Sequence, residues 1–240
     1  MTAPAPLPSV FYTELAQQLG EEKILTDPAD CWSYGYDNSR RHAPPQLVVF
    51  AENHADVVTT VKLCNQHHIA LTARGRGTGT TGATVPLHGG VVLSTERMNR
   101  IIKLDRDNRY LVVEPGVLNQ QVQDHVAEAG FFWPPDPTSA AFCTIGGNLA
   151  YNSAGPRAVK YGTPRENVFG LRAVTGAGEE IRTGVYTTKG VVGYDLTRLL
   201  IGSEGTLAII TEATLKLTPL AQSKRTLQLT YRDIESAAKA

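Results

Sequence analysis

The sequence predicts an α+β fold, on three observations. Short apolar runs of strand length recur along the chain, capped or amphipathic helical stretches lie between some of them, and proline and glycine separate the two without any internal repeat. Ser9 to Leu19 reads as a first helix, closed by Gly20. Gln46–Ala51 is a buried strand, and Asn53 then caps a helix from about His54 to Gln66 whose Val57, Val58, Val61 and Leu63 favour one side. A further apolar strand at 69–73 completes a β-α-β unit over residues 46–73, and Gly90–Ser94 reads as the next strand.

Tyr110–Glu114 is a strand, followed by a Pro-Gly turn and a helix from Asn119 to Ala129. The proline density of Trp133–Ser139 excludes regular structure there, and Phe131, Phe132 and Trp133 are candidates for the core. Strands at Leu171–Thr175 and Glu180–Thr183 flank the hairpin signal Gly176-Ala-Gly178. Tyr194–Ile201 suggests a short helix, and Leu207–Leu217, rich in Ile and Thr, a long final strand. After Leu217–Gln222, which reads as a linker, Lys224–Tyr231 is expected as a lone strand and Asp233–Ala240 as the start of a helix.

Composition excludes several classes. The 240 residues carry 23 Lys+Arg against 23 Asp+Glu, so nothing points to nucleic acid or an anionic membrane surface. No apolar run has the length of a membrane span, and the first residues lack the basic start and apolar stretch of a signal peptide. Cys31, Cys64 and Cys143 are odd in number and without metal-ligand spacing, which fits a reduced, cytoplasmic setting. His42, His54, His67, His68, His88 and His125 are scattered, so no metal site is expected. Cys64 and His67, at the end of the second helix, read as packing and capping residues, and Tyr34, Tyr36, Arg40 and Arg41 as exposed loop residues.

The chemistry concentrates in glycine clusters. Gly75, Gly77, Gly79 and Gly82 lie among the hydroxyls of Thr78 and Thr80, with Arg74 and Arg76 beside them. Glycine admits positive φ and close approach, successive amides form a concave anion site, and the two arginines add charge, so the segment reads as a phosphate cradle. A Walker loop is excluded because no Gly-Lys-Ser/Thr follows. Gly77-Thr-Gly-Thr-Thr-Gly82 matches the dinucleotide fingerprint, but Pro86 and Gly89-Gly90 stand where its helix should run. A flexible glycine loop without a ligand is the remaining alternative. Two further clusters follow: Cys143-Thr-Ile-Gly-Gly-Asn148 with Asn152-Ser-Ala-Gly155 and Lys160-Tyr-Gly162, and Gly193-Tyr-Asp-Leu196 leading to Gly202-Ser-Glu-Gly-Thr206. The first of these is expected to supply a second set of backbone amides, together with side-chain amides for polar ring edges.

With Arg74–Gly79, Pro135-Asp-Pro-Thr-Ser139 and these clusters in this order, the chain resembles the FAD-binding (PCMH-type) domain of the vanillyl-alcohol-oxidase-like flavoproteins. Among them it is most similar to the group of D-lactate dehydrogenase and the GlcD-type chain of glycolate oxidase. The resemblance extends from about Tyr34 to Pro219. It implies a two-subdomain fold with FAD held between the subdomains: an N-terminal helical segment over 1–42, subdomains over 43–102 and 103–219, and a linker with the start of a substrate domain over 220–240. It implies that Arg74, Gly75, Arg76, Gly77, Thr78, Gly79 and Thr80 embrace the pyrophosphate. Thr144, Ile145, Gly146, Gly147 and Asn148, with Asn152, Ala154 and Gly155, would line pyrophosphate and flavin, and backbone at Ile209 and Ile210 would meet the adenine. Pro135, Asp136, Thr138, Ser139, Tyr161 and Gly162 belong to the same motifs.

Noncovalent FAD is expected: the loop 74–83 has no histidine, and the Cys143-Thr-Ile-Gly-Gly arrangement resembles the noncovalent members, leaving Cys143 as a structural thiol. The activity implied is hydride transfer from a D-2-hydroxy acid to flavin, as dehydrogenase or oxidase, with the substrate residues in a C-terminal domain that this sequence lacks. The alternatives are a noncatalytic FAD-binding subunit that needs a partner chain, or the flavin domain of an alcohol oxidase. No catalytic base is named.

Overall fold

The computed structural model describes residues 6–187 and 189–240 and contains two sheets with helices packed on and between them. The absence of a signal peptide concerns a stretch whose first five residues lie outside the described ones. The first sheet has strands β1 (Ile24–Leu25), β2 (Leu47–Phe50), β3 (Leu71–Arg74) and β4 (Val91–Ser94) in the order β1-β2-β4-β3. β1 runs antiparallel to β2, and the other pairs are parallel. Every residue of β2 and β4 is buried, as a parallel strand covered on both faces requires.

Helix α1 (Ser9–Leu19) packs on α3 (His54–Gln66), and Phe11, Leu15 and Leu19 share one core with Val49, Val57, Val61 and Leu93. Both helices end as their sequences prescribe. Gly20 takes φ 96° after α1, and the Asn53 side chain accepts the Asp56 amide at 3.1 Å before α3. The β-α-β unit is present, but its two strands are not neighbours: β4 inserts between β2 and β3. The neighbouring parallel strands β3 and β4 are therefore joined by residues 75–90, which contain no helix and bear the glycine cluster. Short α2 (Pro28–Cys31) is capped by Asp27 and leads to a hairpin-like segment bridged between Tyr36 and His42.

The second sheet is antiparallel throughout, in the order β5-β6-β10-β8-β9. Its strands are β5 (Ile101–Asp105), β6 (Tyr110–Val113), β8 (Val168–Thr175), β9 (Glu180–Gly184) and the central β10 (Ala208–Lys216); β7 (Phe131–Phe132) pairs instead with β11 (Thr218–Pro219). Helices α4 (Asn119–Ala127), α5 (Ile145–Tyr151), α6 (Ala158–Tyr161) and α7 (Leu196–Leu200) accompany it, and α8 (Ile234–Lys239) closes the chain. Its core gathers Leu111, Val122, Trp133, Ile145, Leu149, Ala213 and Leu215, with the Trp133 indole donating to the Asn167 carbonyl at 2.9 Å.

The two sheets meet through α3. Val174 of β8 is buried in the first core, and Ile209 of β10 packs against it. At the same seam His54 Nδ1 lies 2.8 Å from the Thr211 hydroxyl, and Nε2 lies 3.1 Å from Glu180 Oε2 but off the line a hydrogen bond needs.

Two expectations are corrected. Residues 224–231 form no strand: the segment lies against no sheet edge, its backbone has no partner among the described residues, and Leu227 and Leu229 are exposed. The glycine-rich stretch after Thr144 is helical rather than a loop. The Thr144 hydroxyl accepts the Gly147 amide at 3.2 Å, and the missing Cβ of Gly146 lets the first turn lie on Pro115.

Candidate functional site

The largest concavity among the described residues is a cleft between the sheets, with about 1250 Å³ of empty space partly open to solvent. Three stretches distant in sequence form it: the 73–84 loop, residues from Pro137 to Ser153, and residues from Leu200 to Ile210. The glycine loop lies against the start of α5 so closely that a Cβ on Gly75 would stand 2.5 Å from Thr144 Oγ1. Side chains cross between the walls: the Thr80 hydroxyl meets Tyr151 Oη at 3.0 Å, and Thr81 Oγ1 donates to Glu204 Oε2 at 3.4 Å.

The loop's backbone decides what the cleft can hold. Among the described residues, none of the amides from Gly75 to Thr81 donates to a protein acceptor, and all seven residues line the cleft. Unpaired backbone N–H groups are costly unless a ligand or water accepts from them, and a concave run of them selects an anion. The second cluster behaves differently from its sequence expectation. The amides of Ile145, Gly146, Gly147 and Asn148 are taken by the Val117 carbonyl, the Pro115 carbonyl, the Thr144 hydroxyl and the Thr144 carbonyl. The expected second set of free amides is thus absent, because the segment uses them to begin a helix. It contributes instead a small-residue wall and Asn148. The Oδ1 of that residue accepts from Asn119 Nδ2 at 3.0 Å, while its Nδ2 donates to no protein atom among the described residues.

Arg74 is buried, and its guanidinium is engaged within the fold. It donates to the carbonyls of Tyr36 (2.7 Å) and Ser33 (3.3 Å) and to Thr84 Oγ1 (3.3 Å), with the Tyr34 ring 5.6 Å away. Burial pulls its pKa down, and Tyr34, Glu96 and Asp37 oppose that shift. A Cβ on Gly77, which has φ 64°, would collide with this guanidinium. Arg74 therefore shapes the loop from beneath, whereas Arg76 is half-exposed, with Nε 3.9 Å from Glu96 Oε2.

The residues the sequence singled out divide into two groups. Arg74, Gly75, Arg76, Gly77, Thr78, Gly79 and Thr80 line the cleft, as do Thr138, Ser139, Thr144, Gly146, Gly147, Asn148, Ile209 and Ile210. Pro135, Asp136, Ile145, Asn152, Ala154, Gly155, Tyr161 and Gly162 lie outside its lining. Ile145 is a core residue. Asp136 and Ala154 are joined backbone to backbone at 2.6 Å, and Gly155, at φ 87°, has no room for a side chain against the Asp136 carbonyl. Asn152 ends α5 at φ 56°, with its Oδ1 buried and without a donor among the described residues.

Asp37, Tyr151, Ser153, Ser203 and Glu204 also line the cleft and belonged to no expected site. Tyr151 and Ser153 flank the predicted Asn152, and Ser203-Glu204 lie inside the quoted glycine motif, so their neighbourhood was signalled. Cys143 is buried behind the cleft, its Sγ 3.6 Å from Asn148 Oδ1, and does not line it. Among the described residues no group of His, Cys, Asp and Glu is arranged to hold a metal, and no helix is long and apolar enough to cross a membrane.

Comparisons with known proteins agree with this geometry. A family model described as an FAD binding domain matches residues 45–184. The chain is 40% identical over 227 residues to the glycolate oxidase subunit GlcD of Bacillus subtilis, covering 94% of this chain and 48% of that protein. It is 40% identical over 193 residues to D-lactate dehydrogenase of Anaerostipes hadrus, covering 80% and 40%. Among solved structures, alkyldihydroxyacetonephosphate synthase superposes with a TM-score of 0.80 at 25% identity, covering 92% of this chain and 46% of that one. The chain spans about half the length of the curated relatives it matches.

Proposed function

This chain belongs to the FAD binding domain family, and on that premise we propose that it holds FAD noncovalently as the flavin-binding part of an oxidoreductase acting on D-2-hydroxy acids. The observation that carries the reading is the run of seven amides from Gly75 to Thr81 facing one cleft without protein acceptors. A pyrophosphate supplies the oxygens such a run needs. Asn148 Nδ2 is a free donor on the opposite wall, and Asn152 Oδ1, buried just behind it, lacks a donor. These groups suit the polar edge of a flavin. Ile209 and Ile210 offer an apolar wall for adenine. The position of Cys143 outside the lining supports noncovalent attachment.

Bound flavin supplies the acceptor for a hydride from the hydroxyl-bearing carbon of the substrate. This chain's own part is to bind and orient. The loop amides fix the phosphates, the Thr80–Tyr151 and Thr81–Glu204 contacts tie the walls together, and the helix start at Thr144 bounds the cleft. The hydroxy-acid substrate class rests on the names of the relatives, a glycolate oxidase chain and a D-lactate dehydrogenase. We put the subdomains at 43–102 and 103–219, since the first sheet ends at Ser94 and the second begins at Ile101. That the Bacillus relative is named as one subunit supports a partner chain for the whole protein, and the buried free cysteines support a cytoplasmic setting.

Titration of the purified chain with FAD, followed by flavin absorbance and fluorescence, tests the cofactor assignment. Saturable binding, with the flavin released into the supernatant on acid precipitation, is expected. An inability to bind FAD refutes the assignment, and flavin retained in the precipitate refutes noncovalent attachment. Turnover of D-lactate or glycolate by the whole polypeptide tests the substrate class.

A further inference from the structure

Asp37 is an acidic residue lining a cleft that otherwise selects an anion. Electrostatics alone would make it a liability there. It is buried at 5% exposure, and both of its carboxylate oxygens are engaged by backbone. Oδ1 accepts the Ser39 amide at 2.8 Å, closing a tight turn over 37–39. Oδ2 accepts the amide of Gly82 at 2.9 Å, at the far end of the glycine loop, where φ is 87°.

The turn so formed presents its tip to the loop. The Asn38 amide donates to the Gly79 carbonyl at 2.9 Å, and Asn38 Nδ2 donates to the Thr78 carbonyl at 3.3 Å. In a trans peptide the N–H points opposite to the C=O. Drawing the carbonyls of Thr78 and Gly79 outward onto Asn38 turns the next amides, those of Gly79 and Thr80, the other way. On that other side is the cleft wall: the Tyr151 ring is the nearest group to the position of a Cβ on Gly79, at 3.7 Å.

We infer that Asp37 is a positioning residue for the cofactor's pyrophosphate: through the 37–39 turn and the Gly82 amide it holds the glycine loop with its donors aimed into the cleft before any ligand arrives. The inference rests on the FAD assignment above. Arg74 reinforces the same segment by binding the Ser33 and Tyr36 carbonyls, and its positive charge offsets that of Asp37. The contribution of Asp37 to binding is therefore one of backbone order, and it opposes the sign of its charge.

That opposition gives a discriminating test with Asp37→Asn, which removes the negative charge but leaves one acceptor where two are used. Two readouts are taken on the full chain: backbone amide order parameters for residues 76–82 without ligand, and dissociation constants for FAD and for riboflavin, which lacks phosphate. The expected result is a loop that falls from rigid values of about 0.85 to below about 0.6, with FAD affinity reduced roughly tenfold and riboflavin affinity unchanged. A D37N chain whose loop stays as ordered as wild type, or which binds FAD equally or more tightly, overturns the inference. Should D37N not fold, Asn38→Ala at the exposed tip replaces it: raised loop mobility supports the inference and wild-type order overturns it. A wild-type chain that binds no FAD defeats the functional assignment, while the order parameters still judge the role of Asp37.

Discussion

Replacing Gly75 by alanine isolates the contact between the loop and the facing helix. Gly75 is outside the left-handed region, so the change introduces no backbone strain of its own. The new Cβ would lie 2.5 Å from Thr144 Oγ1 against the 3.4 Å where ordinary contact begins, so about 0.9 Å of retreat is required. The hydroxyl retreats most easily by rotating away, which abandons its bond to the Gly147 amide. Losing that cap costs about 1 kcal/mol, or a melting temperature lower by roughly 2–4 °C in a chain of this size. If the loop moves instead, its amides leave register and FAD affinity falls about tenfold, equivalent to roughly 1.4 kcal/mol. A double-mutant cycle with Thr144→Ala, read by urea unfolding of the apo protein, separates the causes. T144A should cost about 1 kcal/mol alone, and G75A should then add nothing, because the obstructing oxygen is gone. Costs that add to within about 0.5 kcal/mol would refute the reasoning.

Two further outcomes are expected. Trp133→Phe removes a buried indole whose Nε1 donates to Asn167, and should cost about 2 kcal/mol in denaturant unfolding; the remaining emission, from exposed Trp32, should be red-shifted, and an unchanged spectrum counts against a buried Trp133. The imidazole of His54 has a pKa lowered first by burial and then by Arg172 and Arg182, with Glu180 opposing. A histidine that resists protonation when folded loses stability as pH falls below the unfolded value, about 6.5. Melting temperature should decline on acidification below that point, and His54→Gln should flatten the decline; an equal slope in the variant would rule His54 out as the cause.

The parts of the fold that were legible in sequence are those written locally. Asn53 and Gly20 bound their helices because capping depends on a few neighbouring atoms. Strand order was not legible: nothing within 46–73 indicates that Val91–Ser94 will insert between the strands of that unit, since the parallel ladder joins residues twenty and more positions apart. The helix at Ile145 was hidden because a Gly-Gly pair reads as loop until the Thr144 cap and the Pro115 contact are seen together. Lys224–Tyr231 misled in the opposite way, having strand composition without a sheet edge. The glycine loop was identified by residue type, but the role of Arg74 depends on carbonyls at Ser33 and Tyr36, and that of Asp37 on an amide 45 positions away, which no motif encodes.

The direct passage from β3 to its parallel neighbour β4 places an unusual demand on residues 75–90. Parallel neighbours require a crossover of a dozen residues or more, commonly a helix; here the ligand-contacting peptide is itself that return path. Its length is fixed twice, by the contour of the anion it surrounds and by the span back to Val91. A deletion that tightened the grip would drag β4 along the ladder and unseat a strand buried over all four residues. Tolerance of insertions should accordingly be confined to Leu87-His88, the exposed pair lying past the Gly82 anchor and past buried Val85 and Pro86.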